Sequence, residues 1–217
     1  MATLTTVIFD FGGVFTSSPV EEFAKFEATQ GLPPKFLGGV IKTNHHTNAW
    51  AQYERSEIGQ DEFDEQFALE SSLAGHEVRG NTLLSLLKLT LKPAMIDALA
   101  EVKKAGFKTG CITNNLPNMD SGAMLEAASE TTRAANVLSQ FDHLIESSKV
   151  GVRKPEPAIY MMMCKALGSR PEECVFLDDL GINLKPAQAL GMTTIKVPFG
   201  NVQPAIDELF SVLRLSR

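Results

Sequence analysis

From Pro93 to the carboxyl end the chain repeats one pattern, a helix that stops on a glycine followed by a short apolar run. PAMIDALAEVKKAG carries a proline at its helical start, Lys103 and Lys104 in its last turn and Gly106 as its stop. FKTGCIT follows as a strand. The reading then continues with FDHLIES as a strand, EPAIYMMMCKALG as a helix, ECVFLDD as a strand, INLKPAQALG as a helix, TTIKV as a strand and PAIDELFSVLRL as a closing helix. Strands joined through single helices must run parallel, by right-handed crossovers, and such a sheet is covered on both faces. The run Leu4, Val7, Ile8 and Phe9 near the amino end supplies one more buried strand, with Asp10 at its carboxyl end and Gly12 and Gly13 just beyond. The expected fold class is α/β, a doubly wound (Rossmann-like) parallel sheet. MDSGAMLEAASETTRAANVL, between the second and third strands after the amino end, reads as helix.

One segment breaks the alternation. From Pro19 to about Leu91 the sequence reads as successive helices with no strand: VEEFAKFEATQ, PPKFLGGVIKT, NAWAQYERSEI and DEFDEQFALESSLAG. Phe63 and Phe67 share one helical face, and Trp50 and Tyr53 another, so this block can bury a small core of its own. The expected organisation is therefore a core domain of residues 1–17 and 92–217 with an inserted all-helical domain, residues 18–91.

A net charge of −6 and the lack of any basic run argue against a nucleic-acid partner, since nothing neutralises a phosphate backbone. No apolar stretch is long enough to span a bilayer, and no basic region precedes the first apolar run, so a cytoplasmic protein without a membrane partner is expected. The three cysteines, Cys111, Cys164 and Cys174, lack metal-like spacing and read as buried free thiols. His45 and His46, flanked by polar residues, read as part of a solvated loop.

The candidate chemistry lies at the strand ends. Asp10 follows VIF, Thr113 and Asn114 follow GCI, and Asp178 and Asp179 follow VFL. In a parallel sheet these ends converge, and ligands bind in the crevice outside them. Lys154, in GVRKPEP, precedes a proline read as starting a helix, which can hold its ammonium at the same edge. Three carboxylates sharing a crevice repel one another and raise each other's pKa unless a cation sits among them, and Mg²⁺ with oxygen ligands is the simplest such cation.

FDFGGVF, CITNN, FDHLIESSKVGVRKPEPAIY and FLDDLGINLKPAQALGM, taken in this order, resemble the motifs of the haloacid dehalogenase superfamily, most closely those of the phosphatase domain found at the amino end of soluble epoxide hydrolases. The resemblance implies a Mg²⁺-dependent phosphatase of small metabolites acting through an aspartyl phosphate. Asp10 would be the nucleophile, and Thr113 and Asn114 would hold phosphoryl oxygens. Lys154 would neutralise charge between phosphate and nucleophile. Asp10, the Gly12 carbonyl and Asp179 would hold the metal, with Asp178 supporting its waters or orienting Lys154. The helical block corresponds to the family's mobile cap, hinged near Ser18 and Leu91 with Thr16 and Ser17 as the near hinge, and Trp50, Tyr53 and Glu54 are candidates for the face toward substrate. The expected partner is a small phosphorylated substrate, bound by a monomer or homodimer.

One position departs from the phosphatase pattern. Most of the superfamily's phosphatases carry a second aspartate two residues after the nucleophile as general acid and base, and here that position is Gly12. Haloacid dehalogenases also lack that aspartate. Three readings therefore stand at this level: a phosphatase, a dehalogenase-type hydrolase attacking carbon, and a phosphate-binding domain with little turnover.

Overall fold

The computed structural model describes residues 3–87, 90–116 and 125–215. Five strands, β1 (Thr6–Phe9), β2 (Lys108–Thr113), β3 (His143–Glu146), β4 (Cys174–Asp178) and β5 (Thr193–Lys196), form one sheet in the order β3-β2-β1-β4-β5, every pair parallel. The α/β fold class thus agrees with the alternation in the sequence. β1 sits in the middle because it is buried on both faces, and its side chains alternate between two cores. Val7 and Phe9 pack with Met95, Leu99, Val137 and Leu209 on one face, while Ile8 packs with Ile159, Tyr160 and Met163 on the other.

Eleven α-helices and one 3-10 turn (Pro171–Glu173) complete the described chain: α1 (Pro19–Gln30), α2 (Phe36–Lys42), α3 (Ala49–Glu54), α4 (Gln60–Leu73), α5 (Gly80–Ser85), α6 (Pro93–Lys104), α7 (Leu125–Leu138), α8 (Ser147–Val150), α9 (Pro157–Leu167), α10 (Gly181–Ala189) and α11 (Gln203–Leu213). The expected helix over MDSGAMLEAASETTRAANVL is seen from Leu125, and its earlier part falls largely outside the described residues. α5, in GNTLLS, has no counterpart among the helices read from the sequence, since a glycine start without a capping side chain gives little signal. α9 corrects another expectation. Its first residue is Pro157, and Pro155, which follows Lys154 through a cis peptide, lies ahead of the helix.

Helices α1 to α5 bury their own cluster of Phe23, Leu37, Val40, Tyr53, Phe63, Phe67 and Leu83, joined by Leu116 from the loop after β2. The chain enters and leaves this block side by side. Thr16 and Leu91 form an antiparallel bridge, the Ser17 amide donates to the Thr90 carbonyl at 2.8 Å, and the Lys92 amide donates to the Phe15 carbonyl at 2.8 Å.

Candidate active site

β1 ends at Phe9 and delivers Asp10 into the space above the sheet, 6% exposed. The chain then turns back at once. The amides of Val14, Phe15 and Thr16 all point to the Phe11 carbonyl, and the Phe11 amide donates to Asp10 Oδ1 at 2.6 Å. Gly13, at φ 75°, adopts a left-handed conformation that suits glycine, and its missing side chain leaves room for a neighbour. That neighbour is Asp179, whose Oδ2 lies 2.1 Å from where a Cβ on Gly13 would stand. Around Gly12 the corresponding space is open to 4 Å.

β4, paired with β1 so that Phe9 lies opposite Leu177, brings Asp178 and Asp179 to the same edge. Asp178 is fully buried, and Asn183 on α10 donates its amide to both carboxylate oxygens, at 3.1 and 3.0 Å, while the Leu180 amide donates to Oδ1 at 2.7 Å. Asp179 accepts from the Ser18 hydroxyl at 3.2 Å, and Lys196 Nζ donates to its backbone carbonyl at 3.0 Å. Lys154 comes from the segment ahead of α9, is 1% exposed, and places Nζ 2.6 Å from Asp10 Oδ1 and 2.9 Å from Asp178 Oδ2. Asp10, Lys154, Asp178 and Asp179 are thus brought together, and Thr113 is buried at the end of β2.

Asn114 takes up a different task from the expected one. Its side chain brackets the Lys154 backbone, Nδ2 donating to the Lys154 carbonyl at 2.9 Å and Oδ1 accepting from the Lys154 amide at 2.9 Å. Its amide group is therefore occupied with the lysine it was expected to assist. Tyr53 also departs from expectation. It is 1% exposed and stacked on Phe63 with ring centroids 4.7 Å apart, so its ring belongs to the helical block's core and does not face a substrate. Trp50, partly buried, meets Phe63 edge-on and hydrogen-bonds Glu54. Glu54, at the end of α3, does face the sheet domain. Ser18, expected only at the hinge, donates to Asp179, while Asn183, Arg153 and Lys92, whose Nζ donates to the Gly13 carbonyl at 2.6 Å, were not singled out from the sequence. Asn183 and Arg153 lie inside the quoted motifs, the first five residues after Asp178 and the second next to Lys154, and that adjacency was the available signal.

The electrostatics follow from burial. Burial pushes the Asp10 carboxyl well above the ordinary carboxylate range, Lys154 opposes this, and Asp178 and Asp179 add to it. Asp179 is pushed up to about 6, mainly by burial and then by Asp178, against the pull of Lys154. Burial works against the charge on Lys154, yet Asp10 and Asp178 hold its pKa above the ordinary value. Carboxylate oxygens of Asp10, Asp178 and Asp179 lie within 4.8 Å of one another, and two of the three acidic groups, Asp10 and Asp178, contact one ammonium. A divalent cation with oxygen ligands fits this donor set and would relieve the mutual repulsion that adds to burial in raising Asp10 and Asp179. Histidine is absent from the cluster, as suits a hard cation. His45 and His46 lie on the helical block's 43–48 loop and are not among the grouped ligands, and the three cysteines are buried and free.

A haloacid dehalogenase-like hydrolase profile matches residues 4–191. The bifunctional epoxide hydrolase 2 of Mus musculus is 32% identical over 220 residues, an alignment covering 96% of this chain and 39% of that protein. The chain thus spans about two fifths of that relative's length. The sesquiterpene phosphatase astK of Aspergillus oryzae is 30% identical over 191 residues, covering 88% of each chain. Among solved structures, the enzyme bt-2542 of Bacteroides thetaiotaomicron, in complex with magnesium and inorganic phosphate, has a TM-score of 0.60 at 19% identity, covering 95% of this chain and 99% of that one. A dehalogenase with an intermediate complex has a TM-score of 0.67 at 20% identity, each chain covered completely.

Proposed function

The chain belongs to the haloacid dehalogenase-like hydrolases, and from that premise we propose that it is a Mg²⁺-dependent phosphatase of small phosphorylated metabolites, working through an aspartyl phosphate on Asp10. The observation that carries the proposal is the buried acidic trio of Asp10, Asp178 and Asp179, two of which pair with Lys154. Three carboxylates and one ammonium leave a site that welcomes a divalent cation, and attack on a carbon–halogen bond has no need of one. Relatives that include a sesquiterpene phosphatase support the same reading. Gly12 is the observation on the other side, since dehalogenases of the superfamily also lack the second aspartate.

In this mechanism Asp10 attacks phosphorus through a carboxylate oxygen, the leaving-group oxygen departs with its electron pair, and water then cleaves the acyl phosphate to regenerate Asp10. Lys154, already between Asp10 and Asp178, balances charge on the nucleophile and on a phosphoryl oxygen beside it. Asp178 fixes the lysine and is itself fixed by Asn183 and the Leu180 amide. Thr113 contributes a hydroxyl to the phosphoryl oxygens, while Asn114 serves by clamping the Lys154 backbone. Asp10, Asp179 and the Gly12 carbonyl would hold Mg²⁺, which when bound supplies positive charge to the phosphoryl group. The helical block of residues 18–91 acts as a cap over the sheet domain, and its closure excludes water from the acyl phosphate.

The test is a parallel assay of phosphate release from p-nitrophenyl phosphate with and without MgCl₂, and of chloride release from 2-chloropropionate. Magnesium-dependent phosphate release that vanishes in Asp10→Asn is the expected result. Chloride release without phosphate release would overturn the proposal in favour of the dehalogenase reading, and retention of a tenth of the rate in Asp10→Asn would overturn the covalent step.

A further inference from the structure

A second buried ion pair lies one residue from the catalytic lysine and joins the two parts of the protein. Glu54, from the end of α3, is 4% exposed and receives Arg153 Nε and a terminal guanidinium nitrogen, each at 2.5 Å. Arg153 is 8% exposed and also donates to the His45 carbonyl at 2.7 Å, so it grips the helical block at two places. The same Glu54 oxygen lies 3.4 Å from Asn114 Nδ2, and the Ser147 hydroxyl donates to the Glu54 carbonyl at 2.7 Å. Asn114 in turn brackets the Lys154 backbone through both its amide and its carbonyl.

These bonds close a ring. Glu54 holds Arg153 and Asn114, Asn114 holds Lys154, and Lys154 is bonded covalently to Arg153. Arg153 and Lys154 are neighbours in sequence, so their side chains leave the backbone in different directions, one toward the helical block and the other toward Asp10. The desolvation cost of burying both charges makes this an odd device for stability alone, because an apolar pair of the same volume would serve as well or better. What an apolar pair cannot do is fix the direction of the Asn114 amide. We propose that Glu54 and Arg153 are positioning residues, through which docking of α3 sets the placement of Lys154 and Asn114. The inference rests on the reading of Lys154 as a catalytic group. It makes the helical block part of the machinery that assembles the site, so that the ammonium reaches its working position only when α3 is seated.

Two variants test this, with hydrogen exchange read residue by residue in the full chain alongside turnover of p-nitrophenyl phosphate. Glu54→Gln keeps the side-chain size and removes the charge, and Glu54→Gln combined with Arg153→Gln avoids stranding a buried guanidinium. The expected result in both is exchange of the Lys154 amide at least tenfold faster, with the amides of β2 and β4 unchanged, and a tenfold or greater fall in kcat with KM within about threefold. The split between kcat and KM follows from a loss confined to transition-state stabilisation, and the faster exchange from the loosened Asn114 clamp. Faster exchange in α3 alone, with the Lys154 amide still protected and kcat unaltered, would overturn the proposal and leave the pair a tether of the helical block. Loss of protection throughout the sheet in both variants would also overturn it, since the pair would then be holding the fold. The exchange readout needs no activity, so a protein that never released phosphate would still show whether Glu54 positions Lys154.

Discussion

Replacing Gly13 by alanine is the most discriminating perturbation of the proposed metal site, because two costs can be read directly from the coordinates. The first is conformational. At φ 75° a residue with a Cβ sits in the left-handed region, at a cost of about 1–2 kcal/mol. For a chain of this size that corresponds to a fall in Tm of roughly 2–8 °C. The second is steric. The new Cβ would lie 2.1 Å from Asp179 Oδ2 and 2.4 Å from Cγ, whereas non-bonded carbon contacts settle at about 3.5–4.0 Å. The carboxylate must therefore retreat by roughly 1 Å or more, and a displacement of that size at a reacting centre can cost about 10²-fold in rate. Gly12→Ala is the control, since its Cβ meets nothing within 4 Å and its φ is not positive. The assays are calorimetry for Tm, titration of the magnesium requirement, and kcat on p-nitrophenyl phosphate. Gly13→Ala should lose about 10²-fold in rate and need more magnesium, while Gly12→Ala stays close to the parent in all three. In a double-mutant cycle with Asp179→Ala, the functional cost of Gly13→Ala should largely disappear, because the group it displaces is gone. Wild-type magnesium dependence in Gly13→Ala would refute the assignment of Asp179 to the metal.

Three further outcomes follow from the same geometry. Gly12→Asp introduces a carboxyl into open space, two residues past the nucleophile, and should speed hydrolysis of alkyl phosphates with poor leaving groups by up to ~10²–10⁴ while changing aryl phosphates little. A plot of log kcat/KM against leaving-group pKa, steep in the parent and shallow in the variant, is the expected result, and a flat parent slope would refute it. Asp179→Ala should raise the magnesium concentration needed for half-maximal rate, through loss of a hard oxygen ligand, and an unaltered requirement would reject the site. The carboxyl of Asp179, ordinarily at 3.8, is pushed up to about 6, so the folded state binds its proton more tightly than the unfolded state. Its contribution therefore makes the metal-free protein less stable as the pH rises from about 4 through about 6. Magnesium, which replaces that proton, should raise Tm more at about pH 7 than at about pH 5, and the opposite order in a thermal shift assay would contradict the electrostatic account.

The sequence by itself determined the strands, their ends and most of the helices, though not α5, α8 or the start of α9. Each strand is a short local run whose burial and length are written in consecutive residues, and the polar residue that closes the run must emerge at the strand's carboxyl edge. Asp10, Thr113, Asn114, Asp178 and Asp179 were legible for that reason, and Lys154 through its motif. Gly12 was legible as a departure from the motif, and the open space beside it only in three dimensions. Tertiary structure alone decided which partners the polar groups chose. Glu54 and Arg153 stand 99 positions apart, and Ser18 and Asp179 stand 161 apart. Nothing local separates such pairs from solvated charges, because their contact depends on how the helical block seats on the sheet. Tyr53 went into the block's core and Glu54, its neighbour, went to the interface, since adjacent residues on a helix face about 100° apart and the depth of each face is set by packing against α4 and the segment leading to α9. The same holds for the Asn114 side chain. Its amide was expected to meet phosphate, yet it clamps the Lys154 backbone, a partner 40 residues away that only the parallel register of β1, β2 and β3 brings within reach.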